Sequence, residues 1–512
     1  MSKASFPFEH LVVIHYHWRP GGVRRVVELT LPAIAAAAGT SLKRITLLSG
    51  GTESERPELG RLGIPTDFIH EPACDYFSNQ AETPESISEK IQRALLRVME
   101  GSASSRTLIW FQNPALARNA ILCREVAKIS KETGVALILH HHDFWCAGRW
   151  ARWNELEQCG YHDLSSAADI LFASGTRSVH AGINLQDFQT LKRCFPGSAF
   201  HLPNPVLRPA ASSPANIDAA KAWVAKELKS EAPLWIYPTR FLRRKNLLEA
   251  ILLTRWLRPE AILATTSGQY SQDEANYAHD INQATAKHGW CVHFGLLDKP
   301  GAPRVADLLQ IAEAVVHTSV QEGFGMTFVE TAASGTPLVA REIPAVIPDL
   351  AELGFEFPQL YEDIQIAPGL FNVEAEIQRL SRLAESARER LPVPFQKIFP
   401  DLAADAGGPF SFSRLTRHAQ MEVLSHPPAE SWRACERLNP CLEKFRNARL
   451  APTPWPAQAP HTPTRYAEEF LRIASSIPDA PPDLPLAAET TQMEITSQAL
   501  GPDSIYAIQL ES

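Results

Sequence analysis

Apolar residues along this chain fall into two recurring patterns, short uninterrupted runs and longer stretches at helical spacing. HLVVIHYH at 10–17 predicts a strand buried on both faces, and GGVRRVVELTLPAIAAAAG at 21–39 predicts a helix after it. Val23, Val26, Val27, Leu31 and Ile34 recur there at the spacing of one helix face. Pro32 interrupts that face. An interior proline removes a backbone donor at a cost of about 3 kcal/mol, which predicts a kink or a restart. KRITLLSG (43–50), TLIWFQN (107–113), VALILHHHD (135–143) and DILFAS (169–174) predict further strands, with a helix over 115–133. Strands that alternate with helices build parallel βαβ units covered on both faces.

PNPVLRPAASSP (203–214) reads as a linker, and the alternation then restarts. Strands are expected at 233–239, 260–267, 290–295, 314–319 and 336–342, and helices at 246–257 and 273–289. Beyond about residue 370 the strand pattern stops and helices are expected at 373–391 and 413–426. APTPWPAQAPHTP (451–463) reads as an extended spacer and 465–477 as one short amphipathic helix, with the last thirty residues poorly ordered. The expected fold is therefore α/β, with two Rossmann-like domains facing a cleft. Residues 1–205 form the first domain and 216–400 the second. A helical extension (401–450) and a proline-rich tail (451–512) follow. Ligands in such sheets bind at the carboxyl ends of the strands.

Composition narrows the function classes. The 512 residues are 45% hydrophobic, enough for more than one core. With 49 Lys+Arg against 57 Asp+Glu, the net charge of −8 argues against a polybasic nucleic-acid binder. No apolar run reaches membrane-spanning length, and MSKASFPFEH lacks the basic region and cleavage site of a signal peptide, so a cytoplasmic protein is expected. The eight cysteines contain no C-x-x-C pair and read as buried thiols. Cys146, Cys159 and His162 match no standard zinc spacing, so no metal site is expected.

No G-x-G-x-x-G follows the first strand, and the chain contains no P-loop and no D-x-D. An anionic ligand must then be met by cationic side chains and helix N-termini. PTRFLRRKN (238–246) supplies Arg240 at a strand end and Lys245 at a helix start. VQEGFGMTFVETAASGTPLV (320–339) places Glu322 in a loop, Gly323 and Gly325 where backbone can approach a ligand, and backbone N–H groups from Met326 through Thr327 to Phe328 at a helix start. Glu330 follows on that helix. Both carboxylates could accept hydrogen bonds from sugar or ribose hydroxyls.

E-G-F-G-M-T-F-V-E with the R-x-x-x-x-K of Arg240 and Lys245 resembles the donor site of retaining glycosyltransferases of family 4, which have the GT-B architecture. PGGVRRVVEL resembles that family's N-terminal glycine loop, PNPV its interdomain Pro-Asn-Gly-Val, and HHHDF (140–144) its strand-end histidine. The resemblance implies that Arg240 and Lys245 neutralise a leaving diphosphate and that Glu330 holds the ribose. It implies that Glu322 and the Phe324–Gly325 backbone hold the donor sugar, and that Gly21 and Gly22 close over the phosphates. His142 would contact the sugar, with His141 as the alternative. The implied substrate is a UDP-, GDP- or ADP-hexose, with a small-molecule or glycan acceptor, no metal and no further cofactor. The oligomeric state stays open. The pattern departs after TPLVA, where REIPAVIPDLAELG (341–354) replaces a Gly-Gly loop. A related epimerase or disaccharide phosphorylase, or a non-catalytic sugar-nucleotide-binding protein, would share these features.

Overall fold

In the computed structural model, residues 6–269, 272–403, 408–458, 461–484, 486–501 and 504–511 are described. The chain divides into two compact units. Unit 1 comprises Met1–Leu207, Arg388–Phe399 and Ala459–Ser504, and unit 2 comprises Arg208–Ala387, Pro400–Gln458 and Ile505–Ser512.

Unit 1 is built on a seven-stranded sheet. Its strands are β1 (His10–Ile14), β2 (Arg44–Ser49), β3 (Thr66–His70), β4 (Thr107–Gln112), β5 (Ala136–His141), β6 (Ser178–Gly182) and β7 (Ala199–His201). Their order is β3-β2-β1-β4-β5-β6-β7 and every pairing is parallel. β1, β4 and β5 are buried along their whole length, as the uninterrupted apolar runs require. The helix Gly22–Ala38 runs through Pro32 as one element and does not restart there. Side-chain caps define several helix starts: Asn119 accepts from the Leu122 N–H at 3.0 Å and Asn184 from the Asp187 N–H at 2.8 Å.

Two sequence expectations fail in unit 1, and several elements were not foreseen. β3, β6 and β7 and the helix Pro84–Met99 are additional elements. The strand expected at 169–174 is instead the end of the helix Leu164–Leu171, capped by Asp163 onto the Ser166 N–H. Leu164, Ala167, Ala168 and Leu171 are its buried face, at helical spacing. The helix Pro463–Ser475, expected at 465–477, packs on Gly22–Ala38, and Phe470 meets Trp110 with ring centroids 4.9 Å apart. A further helix, Ala487–Ala499, lies on Leu164–Leu171 and Leu185–Cys194, with Arg193 and Glu494 paired at 2.6 Å. Residues 459 and 460 of the proline-rich stretch lie outside the described residues.

Unit 2 has a second parallel sheet of six strands: β8 (Leu234–Tyr237), β9 (Ile262–Thr265), β10 (Val292–His293), β11 (Ala314–His317), β12 (Leu338–Arg341) and β13 (Gln359–Tyr361). The order is β10-β9-β8-β11-β12-β13. An antiparallel pair, β14 (Gln365–Ile366) and β15 (Phe410–Ser411), places one short strand beyond residue 370. The helices Pro214–Leu228 and Val305–Ile311 were not foreseen, while 203–213 forms no regular element. The helices Arg417–Ser425, Pro428–Cys435 and Pro440–Asn447 pack on Leu247–Leu257, so the segment expected as a separate extension is part of the unit 2 core. Both units are thus Rossmann-like parallel α/β sheets. All eight cysteines are free; Cys291 and Cys441 are exposed rather than buried.

Candidate functional site

In unit 2 the residues singled out from the sequence gather where β8 and β11 end. The turn Arg243–Lys245 follows β8, and the Lys245 carbonyl accepts from Tyr237 Oη at 2.8 Å and from Thr318 Oγ1 at 3.0 Å. Those two bonds fix the backbone that carries the lysine. Its buried ammonium pairs with Glu322 Oε1. The second carboxylate oxygen of Glu322 receives Arg244 Nη1 at 3.1 Å, and the same guanidinium nitrogen donates to the Gln321 carbonyl at 3.0 Å. His317, at the end of β11, stands 3.6 Å from Glu322 through Nε2.

Burial opposes ionisation of Glu322, yet the Lys245 and Arg244 cations hold its carboxyl well below the usual carboxylate range. Burial likewise lowers the proton affinity of Lys245, and Glu322 works against that fall. His317 is pushed down to about 3 by burial and by the neighbouring Lys245, so it is neutral. Arg240 does not join the cluster through a bond. Its side chain is 46% exposed and its Nε lies 3.4 Å from Glu274.

The helix Met326–Ser334 begins at Gly325, whose φ of +81° is left-handed. A Cβ at that position would lie 2.5 Å from Val346 Cγ1, so both backbone and space demand glycine. Gly323 is half-buried and Phe324 is buried beside it. Among the described residues no side chain caps this helix. The Phe328 N–H is taken by the Gly325 carbonyl at 2.9 Å, a correction to the three donors expected, which leaves the Met326 and Thr327 N–H groups as the uncapped pair. Phe328 anchors the helix start against His317, with ring centroids 4.8 Å apart. Glu330 occupies different surroundings from Glu322. It is exposed in the wall of a cavity of about 440 Å³ lined by Arg208, Pro209, Val305, Leu309, Gln310 and Ser334.

Arg341, in the segment that departs from the family pattern, is buried and committed elsewhere. It donates to both Glu249 oxygens at 2.6 Å and to Asp363 at 3.0 Å. Tyr361 Oη adds a bond to Glu249 at 2.6 Å. This network ties β12 and β13 to the helix Leu247–Leu257.

In unit 1 the candidates lie along the carboxyl edge of the sheet. Gly21 and Gly22 begin the helix after β1 and are exposed. Gly21 has extended backbone, and a Cβ on Gly22 would meet nothing within 4 Å, so among the described residues no neighbour demands these glycines. His142 follows β5. Its Nε2 lies 2.9 Å from Gln112 Oε1, and its N–H donates to Asn113 Oδ1 at 3.2 Å. Gln112 Oε1 also lies 3.1 Å from His140 Nδ1. Burial, with His140 and His15 adding repulsion, holds His142 well below the ordinary histidine range. His141 points into the core: it stacks on Phe144 and His180 and its Nε2 lies 3.1 Å from His180 Nδ1. Gln112, Asn113, Arg244 and His317 were not foreseen. Arg244 stands in the R-R-K run, but nothing in the run says which cation turns inward. Among the described residues no group of three or more His, Cys, Asp or Glu is placed to hold a metal ion. Among them too, no helix is long and apolar enough to cross a membrane.

Residues 220–356 match the family model Glycosyl transferases group 1. That span contains Arg240, Lys245, Glu322 and Glu330. A relative, mannosylglucosyl-3-phosphoglycerate synthase of Petrotoga mobilis, is 25% identical over 353 residues, 66% of each protein. The chain thus spans just under two thirds of that relative's length. Among solved structures, Anabaena Alr3699/HepE in complex with UDP-glucose aligns with a TM-score of 0.49 at 13% identity, covering 86% of this chain and 98% of that one. An α,α-trehalose-phosphate synthase (UDP-forming) from Burkholderia vietnamiensis aligns at 0.48 and 14% identity, covering 92% and 100%.

Proposed function

We propose that the protein is a glycosyltransferase that moves a hexose from a nucleotide sugar to an acceptor hydroxyl with retention of configuration and without a metal. The carrying observation is the juxtaposition in unit 2 of two cations, Lys245 and Arg244, around the ionised Glu322, next to the uncapped start of the helix Met326–Ser334. A departing nucleoside diphosphate needs positive charge fixed before the reaction, and side-chain cations with backbone N–H groups supply it where D-x-D and its metal are lacking. The bond from the sugar C1 to the phosphate oxygen breaks, the acceptor oxygen bonds to C1 on the same face, and the acceptor proton passes to the leaving phosphate. Glu322 holds the sugar hydroxyls and at the same time fixes the Lys245 ammonium. Glu330 takes the ribose from the cavity wall. Gly21 and Gly22 admit the phosphates closely, and His142 contacts the sugar. The relative named as a phosphoglycerate-containing sugar synthase favours transfer over storage of the nucleotide.

The test is incubation with UDP-, GDP- and ADP-glucose and an acceptor panel, with product anomeric configuration read by NMR. Transfer or slow donor hydrolysis, with retention, is expected. Binding without turnover would indicate a sugar-nucleotide-binding protein, and phosphate-dependent release of sugar phosphate would indicate a phosphorylase.

A further inference from the structure

We infer that the carboxyl edge of the unit 1 sheet carries an anion site centred on Arg118, which receives a phosphate or carboxylate of the acceptor. The word acceptor rests on the transferase reading; the anion site itself does not. Arg118 lies between β4 and the helix Ala120–Thr133, on the edge that also carries Gly21, Gly22 and His142. Ligands of open parallel sheets sit at this edge.

The backbone around Arg118 is fixed. Its carbonyl accepts from the Phe77 N–H at 2.7 Å, and the next residue, Asn119, donates through Nδ2 to the carbonyls of Ala73 at 2.9 Å and Asp75 at 2.7 Å. The side chain is equally restrained, with the guanidinium 4.3 Å from the centroid of the Tyr76 ring. Yet among the described residues this guanidinium makes no side-chain hydrogen bond. Its carboxylate neighbour is Glu155, with Oε1 at 3.9 Å, too far for a hydrogen bond. That same oxygen is already engaged by Arg152. One carboxylate thus faces two guanidiniums. Arg19, whose guanidinium is 5.9 Å from the Tyr76 centroid, differs: Asp75 and Glu55 both pair with it.

A guanidinium has five N–H donors in a rigid plane that matches a carboxylate or phosphate in two-pronged fashion. Arg118 presents that plane pre-positioned by an aromatic ring, four-fifths buried, with its hydrogen-bonding capacity unspent. A neutral glycan would not use this. An acceptor bearing an oxyanion would, and a fixed donor set loses little freedom on binding it.

The experiment is calorimetric titration of the full chain, saturated with UDP so that phosphate-binding groups of unit 2 are covered. The four probes are 3-phosphoglycerate, glycerol 3-phosphate, glycerate and glycerol. Binding of 3-phosphoglycerate and of at least one probe with a single anionic group is expected, with glycerol silent. Glycerol 3-phosphate against glycerate tells phosphate from carboxylate recognition. Arg118→Gln, which keeps a planar group over Tyr76, should weaken the anions at least about tenfold and leave UDP affinity unchanged. Arg118→Lys, which keeps charge without the planar fork, should fall between, and it serves as the reporter if Arg118→Gln lowers the Tm. Silence of all three anions, or equal affinity in wild type and in the folded variants, overturns the site. Failure of UDP, GDP and ADP alike to bind, with anion binding still dependent on Arg118, would instead strike the transferase reading and leave the anion site standing.

Discussion

The two units carry candidate chemistry in opposite ways. In unit 2 the candidates are locked to one another: Lys245 and Arg244 both pair with Glu322 in a largely buried cluster, and Gly325 is demanded by its own φ and by Val346. In unit 1 three of the candidates are not required by the chain. Gly21 and Gly22 sit in open space, and Arg118 holds donors that nothing among the described residues uses. A site whose residues pair internally is marked by its geometry alone. A site whose residues are in surplus is marked by what they leave unsatisfied.

The largest expected effect comes from dividing the unit 2 cluster. Lys245→Ala leaves Glu322 buried with Arg244 alone, and removing one partner of a buried ion pair costs about 3–5 kcal/mol. Urea unfolding of Lys245→Ala should show a loss on that scale. Lys245→Met with Glu322→Leu should recover part of it, because no charge is then left unpaired. A loss under about 1 kcal/mol in Lys245→Ala would mean that the cluster is hydrated rather than buried.

Next in size is the contrast between glycines. Gly325→Ala forces a left-handed alanine against Val346 and should destabilise by about 1–3 kcal/mol. Gly22→Ala, on a helix start with free space, should leave stability unchanged or raise it by up to about 1 kcal/mol, yet impair donor use. Thermal unfolding and transfer rates on both variants check this; equal stability loss at the two positions would erase the contrast.

Acid should separate the units by a smaller step. In unit 1, burial pushes His15, His140 and His180 down to about 3, and His141 and His142 also lie well below the ordinary value. Unfolded histidines titrate near ~6.5, so below that pH the unfolded chain binds more protons and this stability is lost progressively as pH falls toward 3. Glu322 is also held low, but as a carboxylate. Its contribution is complete above the unfolded value near ~4.3 and is lost as pH falls below that. Hydrogen exchange at pH 7 and pH 5 should therefore show unit 1, which holds five such histidines, loosening more than the Glu322 cluster, where His317 alone is held down in this way. Uniform loosening would contradict these environments. The smallest expected effect is none: EDTA should leave transfer unchanged, whereas loss restored by Mg²⁺ or Mn²⁺ would require a metal at the diphosphate.

Much of unit 2 was legible because its strands are apolar and its glycine loop has a backbone reason, the left-handed Gly325. The pairing of Lys245 with Glu322, 77 positions apart, was not, because spacing along the chain says nothing of which cation turns inward. β3 was missed because an edge strand buries little: of Thr66–His70 only Ile69 is buried. β6 was missed because Ser178, His180 and Gly182 are buried without being apolar. The helix Ala487–Ala499 read as poorly ordered for a related reason, since its buried face includes Thr491, Gln492 and Thr496. Polar residues inside a core cannot be recognised from hydropathy.

The central claim is that unit 2 divides the donor between its two glutamates, nucleotide to Glu330 and sugar to Glu322. Paired measurements on Glu330→Ala and Glu322→Ala test it most directly, with free UDP, GDP and ADP titrated by calorimetry and glucosyl transfer assayed alongside. Glu330→Ala should weaken free nucleotide and donor alike. Glu322→Ala, compared at a temperature where it remains folded, should bind free nucleotide nearly as wild type does while transfer falls roughly 5- to 150-fold. If both variants lose stability but bind and transfer as the wild type does, the donor is held elsewhere and the assignment fails.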